Sequence, residues 1–107
     1  MLKIKREYTG AGGIRVRMTG HADAARNEHN HDLVCAAASV LCYTLADTME
    51  RYCVHPVCKL EPGNAILHGT PKTLNVSYFR AAYEAVMVGF EMLAAQYPEH
   101  VEVSEWF

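Results

Sequence analysis

The chain has 107 residues, the size of one ordinary domain and too few for two independent hydrophobic cores. Half of the residues are hydrophobic and 21% are charged, a balance typical of a globular domain that folds without disulfides. The formal net charge is -2 and no long run of Lys or Arg is present. This composition argues against a sequence-independent grip on nucleic acid, which needs clustered cations.

The N-terminal segment MLKIKREYTG lacks the apolar stretch and the cleavage site of a signal peptide. We also expect no apolar run of transmembrane length in the rest of the chain. These features predict a cytoplasmic protein with no membrane partner. The four cysteines are accordingly expected as thiols in a reducing compartment, where a free sulfur is available for chemistry.

The first half of the chain predicts two strands and a helix. Residues 2–8 and 14–18 alternate between apolar and charged side chains, with the period of two that half-buried strands show. The glycine-rich segment 9–13 tolerates positive φ, so the pair is predicted as a hairpin. Residues 33–52 are apolar and helix-forming, and we expect this helix to be largely buried. Its predicted inward stripe consists of Leu33, Ala37, Val40, Leu41, Thr44 and Thr48.

The second half predicts two more strands, a helix and a closing strand. Short strands at 57–60 and 65–68 flank the turn signal Glu61-Pro62-Gly63-Asn64. An apolar helical face then recurs at steps of three and four until Pro98, at Val76, Phe79, Tyr83, Val86, Phe90, Leu93 and Tyr97. Val101 and Val103 indicate the last strand. The expected architecture is a single α+β domain, residues 1–107, with two helices on one mostly antiparallel sheet of about five strands, in the order ββαββαβ.

The segment from Gly20 to Ser39 is not explained by packing alone. It starts as a polar stretch with three histidines and enters the apolar helix at Asp32. We predict that Asp32 is the helix N-cap, which makes Cys35 the third helical residue. A thiol there lies near unpaired N–H groups and the positive end of the helix dipole, both of which favour the thiolate. The same amides are candidate donors to a substrate oxyanion.

His21 is the candidate general base for this thiol. It follows the second predicted strand directly after Gly20, and imidazole is suited to proton transfer near neutral pH. A strand end and a helix start can meet at one edge of a sheet, so His21 and Cys35 predict the dyad of a cysteine hydrolase. A core thiol and a hydrogen-bonded surface histidine are the alternatives.

Three further residues are candidates for supporting roles, and the first of them, Gly20, allows a sharp turn directly before His21. Asp32 is able to orient His21 in the manner of a triad, besides its expected role as a helix cap. Ser39 lies one turn after Cys35 on the same helix face, where its hydroxyl bonds either near the site or back to its own helix.

At these residues the sequence resembles the bacterial ribosomal-processing cysteine protease family, Prp. The resemblance rests on two motifs and on the similar end of the chain: Gly20-His21-Ala22, Asp32-Leu33-Val34-Cys35-Ala36-Ala37-Ala38-Ser39, Tyr97-Pro98 and Val101-Glu102-Val103. The loop between the two motifs is slightly longer than in the family, and Asn30 or His31 stands where a glycine is usual.

The resemblance implies a homodimeric α+β protein in which His21 and Cys35 are the catalytic pair. It also implies the substrate, which is the N-terminal extension of the twenty-seventh large-subunit ribosomal protein, removed during ribosome maturation. That extension is short and apolar in the family, with aromatic residues before the cut. No cofactor is expected.

Two other functions stay open at this point. A non-catalytic module of the same fold would bind the ribosomal protein or the ribosome without cutting it. A zinc-binding protein would use His21, His29, His31 and Cys35, which are legitimate ligand types although their spacing matches no compact zinc finger. Cys53-x-His55-x-x-Cys58 is a second and weaker zinc candidate, and we expect ordinary thiols around a bend there.

Overall fold

The computed structural model describes residues 1–21 and 28–105, and of residues 28–32 it describes the backbone alone. The elements follow the expected order ββαββαβ. The strands are β1 (Leu2–Tyr8), β2 (Ile14–Thr19), β3 (Cys53–Glu61), β4 (Asn64–Pro71) and β5 (Val101–Glu105), and the helices are α1 (Glu28–Tyr52) and α2 (Val76–Gln96). The predicted α+β class is confirmed.

The five strands form one sheet in the order β3-β4-β2-β1-β5. The pairs β1–β2 and β3–β4 are antiparallel, as expected from the hairpin signals. The pair β2–β4 is antiparallel as well. The pair β1–β5 is parallel, because the chain returns to the sheet through α2 rather than through a hairpin. The sheet is therefore mixed at one edge.

Alternation along the strands separates a covered face of the sheet from an open one. On β1, Leu2 and Ile4 are buried in the core, whereas Lys3 and Lys5 are exposed. Strands β3 and β4 are longer than the predicted segments 57–60 and 65–68. Their ladder continues past a register shift between Val54 and Val57, which period-two patterning does not reveal.

Helix α1 buries only part of the predicted stripe. Ala37 and Leu41 are partly buried and pack against the core. Val40 and Leu33 are 64% and 62% exposed, so the expectation of a largely buried helix with these residues inside is wrong. The buried face consists of Val34, Ala38, Cys42, Leu45, Ala46 and Met49. Apolar residues cover more than one side of α1, so periodicity alone does not select the inner face. The hydroxyl of Thr44 donates to the Val40 carbonyl oxygen at 2.6 Å, on the outer side.

The stretch Leu33–Tyr52 of α1 is long and apolar enough to cross a membrane, so the expectation of no apolar run of transmembrane length is wrong. About 33% of this stretch is buried inside the fold. The core helix of a globular domain passes the same test of length and composition, so the finding is weak evidence for a membrane span.

Helix α2 confirms the predicted apolar face. Its buried residues are Phe79, Tyr83, Val86, Met87, Phe90 and Leu93. The helix ends at Gln96, two positions before Pro98, and the Tyr97 N–H closes it by donating to the Leu93 carbonyl at 2.9 Å. Both helices pack on the same face of the sheet, and the core lies between them and the strands.

Candidate active site

A cleft of about 290 Å³ opens between α1 and the neighbouring ends of β2 and the β3–β4 turn. Its walls come from four separate segments of the chain, one of which is Leu2 at the start of β1. Gly20 and His21 follow β2, Cys35 and Ser39 lie on α1, and residues 61–65 form the turn and the start of β4. The structure thus brings together Gly20, His21, Cys35 and Ser39 from the predicted site.

Asp32 does not occupy the predicted helix cap. Helix α1 begins at Glu28, so Asp32 lies inside the helix, and its side chain is outside the described residues. Residues 28–31 contain no Gly or Pro, and nothing in them stops a helix from extending toward the N-terminus. The prediction that Asp32 caps the start of this helix is therefore wrong.

The earlier helix start also changes the surroundings expected for Cys35. Only the first four N–H groups of a helix lack an intrahelical partner, and Cys35 lies in the second turn, beyond them. The influence of the helix dipole falls off within the first turn. The helix start therefore supplies neither the predicted oxyanion donors beside the thiol nor a strong dipole at Cys35.

His21 is held beside the β3–β4 turn. The Gly20 N–H donates to the Gly63 carbonyl oxygen at 2.9 Å, and Gly20 has a φ of 88°, which glycine adopts without steric cost. A Cβ added to Gly63 would lie 2.9 Å from Nε2 and 3.3 Å from Cε1 of His21. The imidazole therefore rests on Gly63 with its Nε2 edge toward the turn. Strand pairing next to Gly20 sets the position of the ring.

The turn itself was predicted, but its role in the site was missed. Gly63 has a φ of 74° and follows Pro62, as a tight turn with glycine at its second central position requires. Nothing in the local pattern around Pro62 and Gly63 indicates which distant residue lies on the glycine. The β2–β4 ladder, which pairs Thr19 with Asn64, brings His21 to this turn.

Cys35 differs from the other three cysteines in its surroundings. It is half-buried and lines the cleft that also contains His21. Burial raises the pKa of the Cys42 thiol and raises the pKa of Cys53 to about 11. Burial, together with the charge and hydrogen bonding of Glu50, raises the pKa of Cys58. These three thiols are held in the neutral form near neutral pH, which makes them poor nucleophiles.

An apolar groove adjoins the thiol. Ser39 lies one turn after Cys35 and is exposed at the cleft. The apolar part of the lining consists of Leu2, Met18, Ala38, Tyr43, Leu60 and Ala65. This lining can take up apolar side chains of a peptide whose backbone passes Cys35.

The zinc alternatives find no support in the described part of the chain. The side chains of His29 and His31 lie outside the described residues. Among the described residues, no group of three His, Cys, Asp or Glu side chains is placed to hold a metal ion. In the weaker candidate, Cys53 is buried in the core and His55 takes a φ of 48° next to the register shift of β3.

The chain is similar to known proteins in both sequence and fold. The model of a family described as cysteine protease Prp matches residues 1–102. The fold resembles that of the essential ribosomal processing protease Prp from S. aureus in complex with a covalently linked product peptide, with a TM-score of 0.78 and 20% identity over 99% of this chain and 100% of that one. The same protease with a substrate peptide gives a TM-score of 0.73 and 18% identity over 99% and 100% of the two chains.

A third similar structure is SMU.848 from Streptococcus mutans. It is 25% identical to this chain, with a TM-score of 0.70 over 99% of this chain and 96% of that one. No curated protein matches the sequence significantly.

Proposed function

The chain belongs to the Prp family of cysteine proteases, and we propose that it removes the N-terminal extension of the twenty-seventh bacterial large-subunit ribosomal protein, with Cys35 as nucleophile and His21 as general base. The observation that carries this proposal is the single cleft that contains both residues. The similar S. aureus structures are described as a ribosomal processing protease with bound substrate and product peptides, which supports the class of substrate.

The proposed reaction is acyl transfer through a thioester. His21 accepts the proton of the Cys35 thiol, and Sγ attacks the carbonyl carbon of the scissile peptide bond. His21 then protonates the leaving amine, and the C–N bond breaks to leave an acyl-enzyme. In the second half, His21 takes a proton from water, which attacks the thioester and releases the new carboxylate and the thiol. The half-exposed position of Cys35 supports this chemistry because a peptide has a path to the sulfur.

The groove beside the thiol supports an apolar extension as substrate. Met18, Leu60 and Tyr43 line the cleft together with the backbone of the β3–β4 turn. Each apolar side chain that leaves water here contributes roughly 25 cal/mol per Å² of buried surface. A basic or strongly acidic extension would bury little apolar surface in this groove and would gain little binding free energy from it.

We also propose that the protein is a cytoplasmic homodimer, as the family resemblance implies. The outer face of α1 supports self-association, because Leu33 and Val40 are 62% and 64% exposed. Light scattering across a dilution series tests the dimer. A monomer at all concentrations would contradict it.

The test of the protease function is incubation of the purified chain with the extended ribosomal protein, followed by mass spectrometry. We expect the wild type to release the extension, and we expect Cys35→Ala and His21→Ala to leave it intact. Cys58→Ala is the matched control, since it removes another half-buried thiol outside the cleft and keeps the dyad.

Two results would count against the proposal in different ways. If Cys35→Ala cut the extended ribosomal protein as fast as the wild type, the assignment of Cys35 as nucleophile would be wrong. Binding of the extended protein by a folded wild type that never cuts it would instead favour the non-catalytic module of the same fold.

A further inference from the structure

We propose that Asn64 is a positioning residue for His21, with its side-chain oxygen accepting a hydrogen bond from Nε2–H of the imidazole during the reaction. This inference rests on the proposed function, because it assigns a partner to the proposed base. Oδ1 of Asn64 is buried and has no hydrogen-bond partner among the residues that the structure describes. Asn64 lines the same cleft as His21 and Cys35.

A buried amide oxygen without a donor is unusual in a folded protein. It has lost its hydrogen bonds to water and has gained none in return, so it destabilises the fold unless something else requires it. In the wall of a cleft, such an oxygen is placed to accept a hydrogen bond from a donor inside the cleft. His21 is the side chain of the cleft that carries a ring N–H donor next to this turn.

The strand register places the two residues at the same end of the ladder. Asn64 pairs with Thr19 across the β2–β4 ladder, and the Gly20 N–H continues the pairing by donating to the Gly63 oxygen at 2.9 Å. His21 follows Gly20 directly and contacts Gly63, the residue before Asn64, and both side chains line the same cleft.

The orientation of the ring selects the nitrogen. Nε2 is the ring atom nearest to the Cβ position of Gly63, at 2.9 Å, with Cδ2 farther away at 3.7 Å. The Nε2 edge thus faces the turn that contains Asn64, which leaves Nδ1 for the thiol of Cys35. The other titratable groups that line the cleft are Glu61 of the turn and Cys42 and Tyr43 of α1.

A neutral amide acceptor suits a base that must gain and lose a proton in each cycle. A hydrogen bond from Nε2–H to Asn64 fixes the tautomer that carries its proton on Nε2. The lone pair of Nδ1 is then free to accept the proton of the Cys35 thiol. Once the proton has moved, both ring nitrogens are donors, Nδ1 to the thiolate and Nε2 to the amide oxygen. Cysteine, histidine and asparagine act together in this way in unrelated cysteine proteases.

The experiment compares Asn64→Ala and Asn64→Asp with the wild type by two readouts. The first is the steady-state cleavage of the extended ribosomal protein. The second is the rate of Cys35 alkylation by iodoacetamide as a function of pH, followed by mass spectrometry, which needs no substrate. Asn75→Ala is the control, because this asparagine precedes α2 and is absent from the cleft lining.

For Asn64→Ala we expect kcat to fall about tenfold or more with little change in KM, since proton transfer and not peptide binding is affected. We also expect the pH profile of Cys35 alkylation to change, because the tautomer and position of His21 are no longer fixed. Asn64→Asp keeps an acceptor oxygen and should restore much of the alkylation rate. Asn75→Ala should match the wild type in both readouts.

A folded Asn64→Ala variant with the kcat and the alkylation profile of the wild type would overturn the inference. A wild type that fails to cut the ribosomal protein but shows an alkylation profile sensitive to Asn64 would contradict the substrate and leave the positioning role supported. Alkylation of Cys35 no faster than that of the other three thiols, in the wild type and in every variant, would contradict both the dyad and the role of Asn64.

Discussion

His21 and Gly63 are in such close contact that a methyl group on Gly63 would lie 2.9 Å from Nε2 of the imidazole. The glycine also has a φ of 74°, so its conformation and its lack of a side chain are both used. The proposed base and the β3–β4 turn are therefore one structural unit, and a change in the turn is transmitted to the ring.

Gly63→Ala should reduce cleavage about tenfold or more, because the added methyl displaces the imidazole from the thiol. Gly12→Ala is the matched control. Gly12 has a φ of 80°, and a Cβ there would lie 3.0 Å from Cγ1 of Val76, away from the cleft. Both variants should lose about 1–2 kcal/mol of unfolding free energy through the left-handed backbone. Cleavage assays together with urea unfolding separate the two effects, and an equal loss of activity in both variants would contradict the contact.

The four thiols should react with iodoacetamide in a defined order. Cys35 should be alkylated first at neutral pH, because it is half-buried in the cleft beside a histidine. Cys53 should be last, because burial raises the pKa of its thiol to about 11 and shields the sulfur. Peptide mapping after short labelling gives the order, and labelling in denaturant is the control in which the differences disappear. Cys58 reacting as fast as Cys35 would count against the dyad.

Two valines of α1 test which face of the helix is buried. Val34 is fully buried and Val40 is 64% exposed, on the same helix and with the same side chain. Val34→Ala should lower the free energy of unfolding by about 2 kcal/mol, since two methyl groups leave the core. At protein concentrations low enough to populate the monomer, Val40→Ala should change it by less than about 0.5 kcal/mol. Urea unfolding at these concentrations measures both, and similar losses would contradict the exposed position of Val40 on the single chain.

Tyr83 makes the stability of the fold sensitive to alkaline pH. Burial raises the pKa of its hydroxyl to about 12, from an ordinary value of 10.0. The folded state thus favours the neutral phenol, and its contribution to stability is complete below pH 10 and lost as the pH rises toward 12. The loss amounts to at most about 3 kcal/mol, since one pKa unit corresponds to about 1.4 kcal/mol.

Tyr83→Phe should remove this part of the alkaline destabilisation. It also removes a buried hydroxyl that has no partner among the described residues, so stability near neutral pH should stay the same or rise slightly. Tyr78→Phe on the same helix is the control, because Tyr78 is 70% exposed and should leave the pH dependence unchanged. Urea unfolding on both sides of pH 10 checks this, and an equally steep loss in Tyr83→Phe would show that another group is responsible. Deprotonation of the buried Cys53 thiol also lowers the free energy of unfolding at alkaline pH, and it does so equally in both variants.

The order of the elements could be predicted because its signals are local. Alternation in β1 and β2, the turn residues Pro62 and Gly63, and the proline after α2 each act within a few positions. The pairing of β1 with β5 in parallel could not be read in the same way. It depends on which strand edge is free when the chain returns from α2.

The two errors in α1 have physical causes of the same kind. The helix start was placed too late because residues 28–31 neither favour nor forbid a helix strongly. The inner face was misassigned because Val34 and Val40 are equally apolar, and only the sheet and α2 decide which of them is covered. His21 and Cys35 were brought to one cleft as expected, whereas Gly63 and Asn64 joined them through strand pairing that has no local signal.

The parallel pairing of β1 with β5 makes the order of synthesis relevant to this fold. A nascent chain can form the β1–β2 hairpin early, but the other edge of β1 stays open until Val101–Glu105 have been translated. Contacts between residues so far apart in sequence form slowly and close the structure late. Since Leu2 of this strand lines the cleft, a growing chain is not expected to cut anything before its last strand has docked.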